Sequence, residues 1–100
     1  MSVPGAYAAM KKAHPELVGA YEALGAACAK AGPLDAKTVA MIKLGISLAA
    51  GLEGAAHSHA RKALEAGCTA EELLHVATLC APTIGFPGMM GGGGGVKDVV

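Results

Sequence analysis

From Val39 to Leu52 the chain carries Ile42, Leu44, Ile46 and Leu48 on nearly every side of a helix, and its only charge there is Lys43. A helix that is apolar all round cannot face water; it belongs in the middle of other helices. The run is shorter than the roughly 20 residues a membrane span requires, so it reads as a core helix. Its boundaries are marked, with Asp35 suited to cap the start and Gly51 to end or bend it.

The flanking sequence repeats this pattern of helix and stop signal. Pro4 opens a short helix through Lys12. Pro15 opens a second, at a position where a missing N–H is harmless. In it Leu17, Val18, Tyr21, Leu24 and Cys28 recur at helical spacing, and Gly32-Pro33 ends it. A helix from Glu53 to Ala66 stops at Gly67. Thr69-Ala70-Glu71-Glu72 then forms a capping box, with Glu72 answering the hydroxyl of Thr69. Leu73, Leu74, Val76, Ala77 and Cys80 continue that helix until Pro82 ends or kinks it. No strand pattern and no internal repeat stands out. The sequence predicts an all-α domain over residues 1–90 and a flexible tail over 91–100, where Gly91 to Gly95 have no helix-forming power.

Composition adds a second constraint. Of the 100 residues, 53% are hydrophobic and 16% charged, and the mean hydropathy is +0.46. A globule this small has too much surface to hide so many apolar side chains, so part of that surface is expected between subunits of a homo-oligomer. Eight basic and eight acidic residues leave no net charge. With no basic stripe, nucleic-acid binding has no electrostatic basis. The start lacks the pattern of a signal peptide, so a cytoplasmic location is expected. Three cysteines without a C-x-x-C argue against a disulfide framework.

The acid–base chemistry is concentrated between Leu52 and Arg61. Leu52, Ala55, Ala56 and His59 share one helical face, which would set the imidazole of His59 against a mostly apolar pocket. The plainer reading is a half-buried histidine satisfied by a neighbouring helix. Glu53, His57 and Arg61 form a row on another face, most simply a solvated one. His57 and His59 point roughly 200° apart on a helix and cannot share one ion, and His75 and Cys80 are a poor chelate, so no metal is expected. Cys28, Cys68 and Cys80 read as small buried hydrophobes, although Cys68 stands near a helix N-terminus that would favour its thiolate.

Asp35-Ala36-Lys37-Thr38, the apolar helix Met41 to Ala50, Glu53, His59-Ala60-Arg61, Ala66-Gly67-Cys68-Thr69-Ala70-Glu71-Glu72-Leu73 and Gly85-Phe86-Pro87 together resemble the carboxymuconolactone decarboxylase family. That family includes the alkylhydroperoxidase D-like proteins. The resemblance covers Leu34 to Pro87. It implies an all-α helical bundle of the alkylhydroperoxidase D-like type that assembles with itself, a trimer or hexamer being favoured, and it implies no cofactor. The peroxidase branch uses two cysteines, a histidine and a glutamate, which fall here on Leu52, Ala55, His59 and Ala40. A thiol peroxidase on this chain would need Cys28, Cys68 or Cys80 instead. The decarboxylase branch is closer. It implies a site with His59 as proton donor or acceptor, Glu53 and Arg61 as further catalytic groups, and Leu52, Ala55 and Ala56 as pocket walls. The substrate implied is a small lactone-type acid. A catalytically silent oligomer or binding module is the remaining reading.

Overall fold

The computed structural model describes residues 3–85 and is helical almost throughout. Six helices follow one another among these residues: α1 (Val3–Ala13), α2 (Pro15–Lys30), α3 (Ala36–Ala49), α4 (Glu53–Glu65), α5 (Ala70–Thr78) and α6 (Ala81–Ile84). No described residue is in a strand. The all-α class read from the sequence is what the structure has. The tail expected to be irregular, Gly91 to Gly95, lies outside the described residues, as do Phe86 and Pro87.

Contacts divide the chain into two compact units, the first ending at Pro33 and the second beginning at Leu34. The first is the α1–α2 hairpin. Pro15 occupies the first turn of α2, and His14 forms the joint between the helices. The Tyr7 hydroxyl donates to Glu22 Oε2 at 2.6 Å. Lys11 lies 3.7 Å from the same oxygen, so one carboxylate ties both helices. Of the apolar residues at helical spacing in α2, Val18 is buried and Leu17, Tyr21 and Leu24 are exposed, as is Cys28, against the expectation that it is buried. A two-helix hairpin has no further layer of its own with which to cover that stripe.

The second unit is built by its stop signals. Asp35 caps α3, its side chain accepting from the Thr38 N–H at 2.8 Å. At the far end Gly51 adopts φ +70. Its N–H reaches Leu48 O at 3.1 Å, while the Leu52 N–H reaches Ser47 O at 3.0 Å. That pair of bonds satisfies carbonyls the helix leaves open, and it requires a residue without a Cβ penalty at positive φ. The same arrangement closes α4, where Gly67 has φ +101, its N–H bonds Leu64 O at 3.0 Å and the Cys68 N–H bonds Ala63 O at 2.9 Å. Thr69 and Glu72 complete the capping box of α5, with both reciprocal bonds present.

The core follows from residue size. Ala56, Ala60 and Ala63 form the buried stripe of α4, and small side chains let that helix approach α3 closely. Leu44 and Leu48 of α3, Leu73 and Ala77 of α5, and Cys68 and Cys80 fill the rest of the cluster. Leu44 and Leu73 are the large side chains with no exposure at all. Two expectations are corrected here. First, α3 is buried on one face only: Leu44, Ser47 and Leu48 are inside, whereas Ile42 and Ile46 are exposed, because α4 and α5 pack on a single side of it. Second, α5 stops at Thr78, before Cys80. Pro82 cannot donate to the preceding turn, so it opens the short helix α6 rather than ending α5.

Among the described residues no helix is long and apolar enough to cross a membrane.

Candidate functional site

The three-residue connection from Ala50 to Leu52 sends α4 back along α3 as an antiparallel neighbour. Such a return sets Leu48 level with Ala56 and Leu44 level with Ala60, and all four belong to one buried cluster. Lys43 and His59 each precede the second of those pairs by one residue. On antiparallel helices that offset turns both toward the same side of the pair. Lys62, three residues beyond His59, flanks it on α4.

His59 is half-buried. Burial, then the ammonium groups of Lys43 and Lys62, push its imidazole below the ordinary histidine pKa. Each effect disfavours a positive charge on the ring. His59 is therefore a neutral ring at neutral pH, flanked by two cations for which no carboxylate lies within ion-pair distance among the described residues. This arrangement suits an anion beside a group that can take up a proton.

The other residues anticipated at the site are dispersed. Leu52 is the N-cap residue of α4, with non-helical backbone (φ −92, ψ 83), and its carbonyl accepts from the Ala56 N–H at 2.8 Å. It is 55% exposed. Ala55 is half-buried beside His59, and Ala56 is part of the core. Glu53 is exposed in the first turn of α4, where its charge complements the helix dipole. Arg61 is exposed, and the charges that act on His59 are those of Lys43 and Lys62. The row Glu53–His57–Arg61 is open at its two ends only; His57 between them is half-buried, with its Nε2 shielded from solvent. Lys43 is the residue that sequence reading missed. It entered only as an interruption of an apolar run, since the register between two helices is not written in either one.

A groove of about 560 Å³ runs elsewhere in the second unit, between α3 and the α5–α6 segment. Its walls are mainly apolar, from Met41, Ile42, Val76, Leu79 and Ile84, with Gly45 and Ala49 along α3. Glu72, His75 and Cys80 also line it; His59 does not. A spacing signal for this groove was present in α3, where Thr38, Met41, Ile42, Gly45 and Ala49 recur every three or four residues.

The thiols are placed for packing rather than for reaction. Cys68 is buried, its Sγ 3.8 Å from the Lys37 carbonyl oxygen. Burial and then the Glu72 carboxylate raise its pKa, which overturns the expectation that the nearby helix N-terminus favours a thiolate. Cys80 is buried and Cys28 exposed, and all three are free. A thiol reagent is expected to modify one cysteine, Cys28, in the folded chain, and all three after unfolding. Prompt native modification of Cys68 would contradict this placement. Among the described residues no three His, Cys, Asp or Glu side chains are grouped as a metal site.

Comparison with known proteins places these observations. The sequence profile of the carboxymuconolactone decarboxylase family matches residues 15–92. A protein of Haemophilus influenzae described as uncharacterized is 36% identical over 61 residues, covering 61% of this chain and 54% of the relative. The chain thus spans about half the length of the curated relative it matches. No solved structure matches.

Proposed function

Because the chain belongs to the carboxymuconolactone decarboxylase family, we propose that it binds a small organic acid of the lactone type beside His59 and moves a proton there. The observation that carries this reading is the neutral, half-buried imidazole of His59 between Lys43 and Lys62. The two ammonium groups supply what a carboxylate needs, and the ring supplies the acid–base group. In a decarboxylation the bond from carbon to the carboxylate breaks and carbon dioxide leaves. The electron pair stays on the substrate as an enolate, and a proton is returned to carbon. A bound anion offsets the charge of the two lysines and raises the pKa of His59. The ring then takes a proton from water as the acid binds, and holds it where the enolate forms.

Arg61, expected as a further catalytic group, gives way in this reading to Lys43 and Lys62, since those are the charges that act on His59. Glu53 has its role at the start of α4. A peroxidase on this site would need a reactive thiol, and Cys68 is held in the opposite state.

The test is a titration of the His59 ring by proton NMR. Its pKa is expected below the ordinary 6.5 in the free chain, to rise when a small lactone acid is added, and to rise also in Lys43→Ala without ligand. A titration unmoved by a panel of such acids would overturn the proposal. The same depression has a sign for stability. The unfolded chain protonates its histidine first, so this contribution is present above about pH 6.5 and is lost as pH falls through the folded value.

A further inference from the structure

We infer that the residues directly following α6, Phe86-Pro87-Gly88-Met89-Met90, dock in the groove between α3 and the α5–α6 segment of the same chain and close it. The groove follows from how two helices lie. Lys37 Nζ meets Glu72 Oε2 at 3.1 Å, and a Cβ at Gly45 would stand 3.6 Å from Val76 Cγ1. The helices α3 and α5 therefore run side by side in the same direction, and the groove continues past Leu79 to Thr83 and Ile84 of α6. Gly45 takes a side chain away from its floor, inside a helix where glycine is otherwise a poor choice.

Most polar groups of the groove are engaged within the chain. Glu72 pairs with Lys37 and accepts from the Thr69 N–H at 2.8 Å. The Thr83 hydroxyl donates to Leu79 O at 2.8 Å, and the Cys80 thiol to Val76 O at 3.9 Å. The walls that remain call for apolar side chains and offer little to a charged one. The chain itself supplies such side chains at the rim. Ile84 lines the groove, and Phe86 is two residues on. Between them Gly85 has φ 95 and ψ 162, a backbone essentially confined to glycine, so a specific turn leads out of α6. Phe86 brings a large ring, and Met89 and Met90 are side chains that adapt to irregular walls. The lengths agree. From Thr38 to Ala49 the groove follows α3 for about 16 Å, and five extended residues span roughly 17 Å. Gly91 to Gly95 have no side chains with which to continue the contact, so the docked segment ends at Met90. Attachment at the rim also gives this segment a high effective concentration, which a free partner must exceed.

The full chain contains no Trp and a single Phe, so both a fluorescence and an NMR experiment read this segment alone. In the unsubstituted chain, nuclear Overhauser effects are expected from the Phe86 ring to methyl groups of Ile42, Val76 or Leu79. In Phe86→Trp, emission is expected to be blue-shifted from that of free tryptophan, and quenching by acrylamide to be slowed several-fold. Adding Gly45→Met fills the floor of the groove and is expected to return both fluorescence readouts toward those of free tryptophan. The helical circular dichroism should be kept, since methionine is the better helix former. Ile42→Glu, at an exposed position, is a second variant with the same expected result. Tyr21→Glu on α2 is expected to change neither readout. The blue shift is expected to hold on dilution, because the contact lies within one chain. Absent Overhauser effects, a reporter that emits like free tryptophan, or a shift untouched by both groove variants would overturn the inference. A shift that fades on dilution would also overturn it, by assigning the groove to a second copy.

Discussion

Replacing His59 by alanine is expected to cut turnover of an anionic lactone acid severely while leaving the helical fold and the assembly intact. A positioned acid–base group contributes typically 10²–10⁴-fold to a rate, and the loss should fall in that range. The side chain is half-buried and outside the core cluster, so the truncation opens no large cavity. Lys43→Ala and Lys62→Ala should raise KM more than they lower kcat, since a cation that holds the carboxylate acts before and during the step. His57→Ala and Glu53→Gln should do much less, Glu53 being exposed and spent on the helix dipole. Steady-state kinetics over a panel of lactone acids would measure this. Wild-type turnover in His59→Ala would remove the histidine from the chemistry.

The largest expected effect on stability comes from the centre of the second unit. Leu44 has no exposed surface and sits among Leu48, Ala60 and Leu73 in the core cluster. Leu44→Ala should cost about 3–4 kcal/mol, the lost burial plus the cavity left by neighbours that only partly collapse. Against a total stability of about 5–15 kcal/mol for an ordinary domain, that leaves the variant close to unfolding. Leu52→Ala, on the exposed cap position, should stay within about 0.5 kcal/mol. Urea denaturation followed by circular dichroism separates the two. A cost below about 1 kcal/mol at Leu44 would mean that the core is far looser than its burial indicates.

What was readable in advance was local. Asp35, Gly51, Gly67 and the Thr69–Glu72 box act through backbone groups one turn away, so a short window contains all the chemistry involved. The face that α3 turns to water was not readable. A helix apolar on every side carries no phase, and only the packing of α4 and α5 decides that Leu44 is inside and Ile46 outside. The site was readable in part. His59 could be placed on a helix face, but the company of Lys43 depends on the register between two helices.

The Gly51 turn also bears on how fast the second unit assembles. Closing so short a connection costs little chain entropy, so α3 and α4 can meet before any distant part of the chain has been found. The ordering that remains is the docking of α5 across one more glycine turn, again between neighbours in sequence. Local contacts of this kind place helical proteins at the microsecond-to-millisecond end of folding rates. The Leu52 N–H and the Ser47 carbonyl are thus expected to join early, and a residue that cannot hold positive φ at position 51 is expected to slow folding as well as weaken its product, which stopped-flow refolding of Gly51→Val would measure.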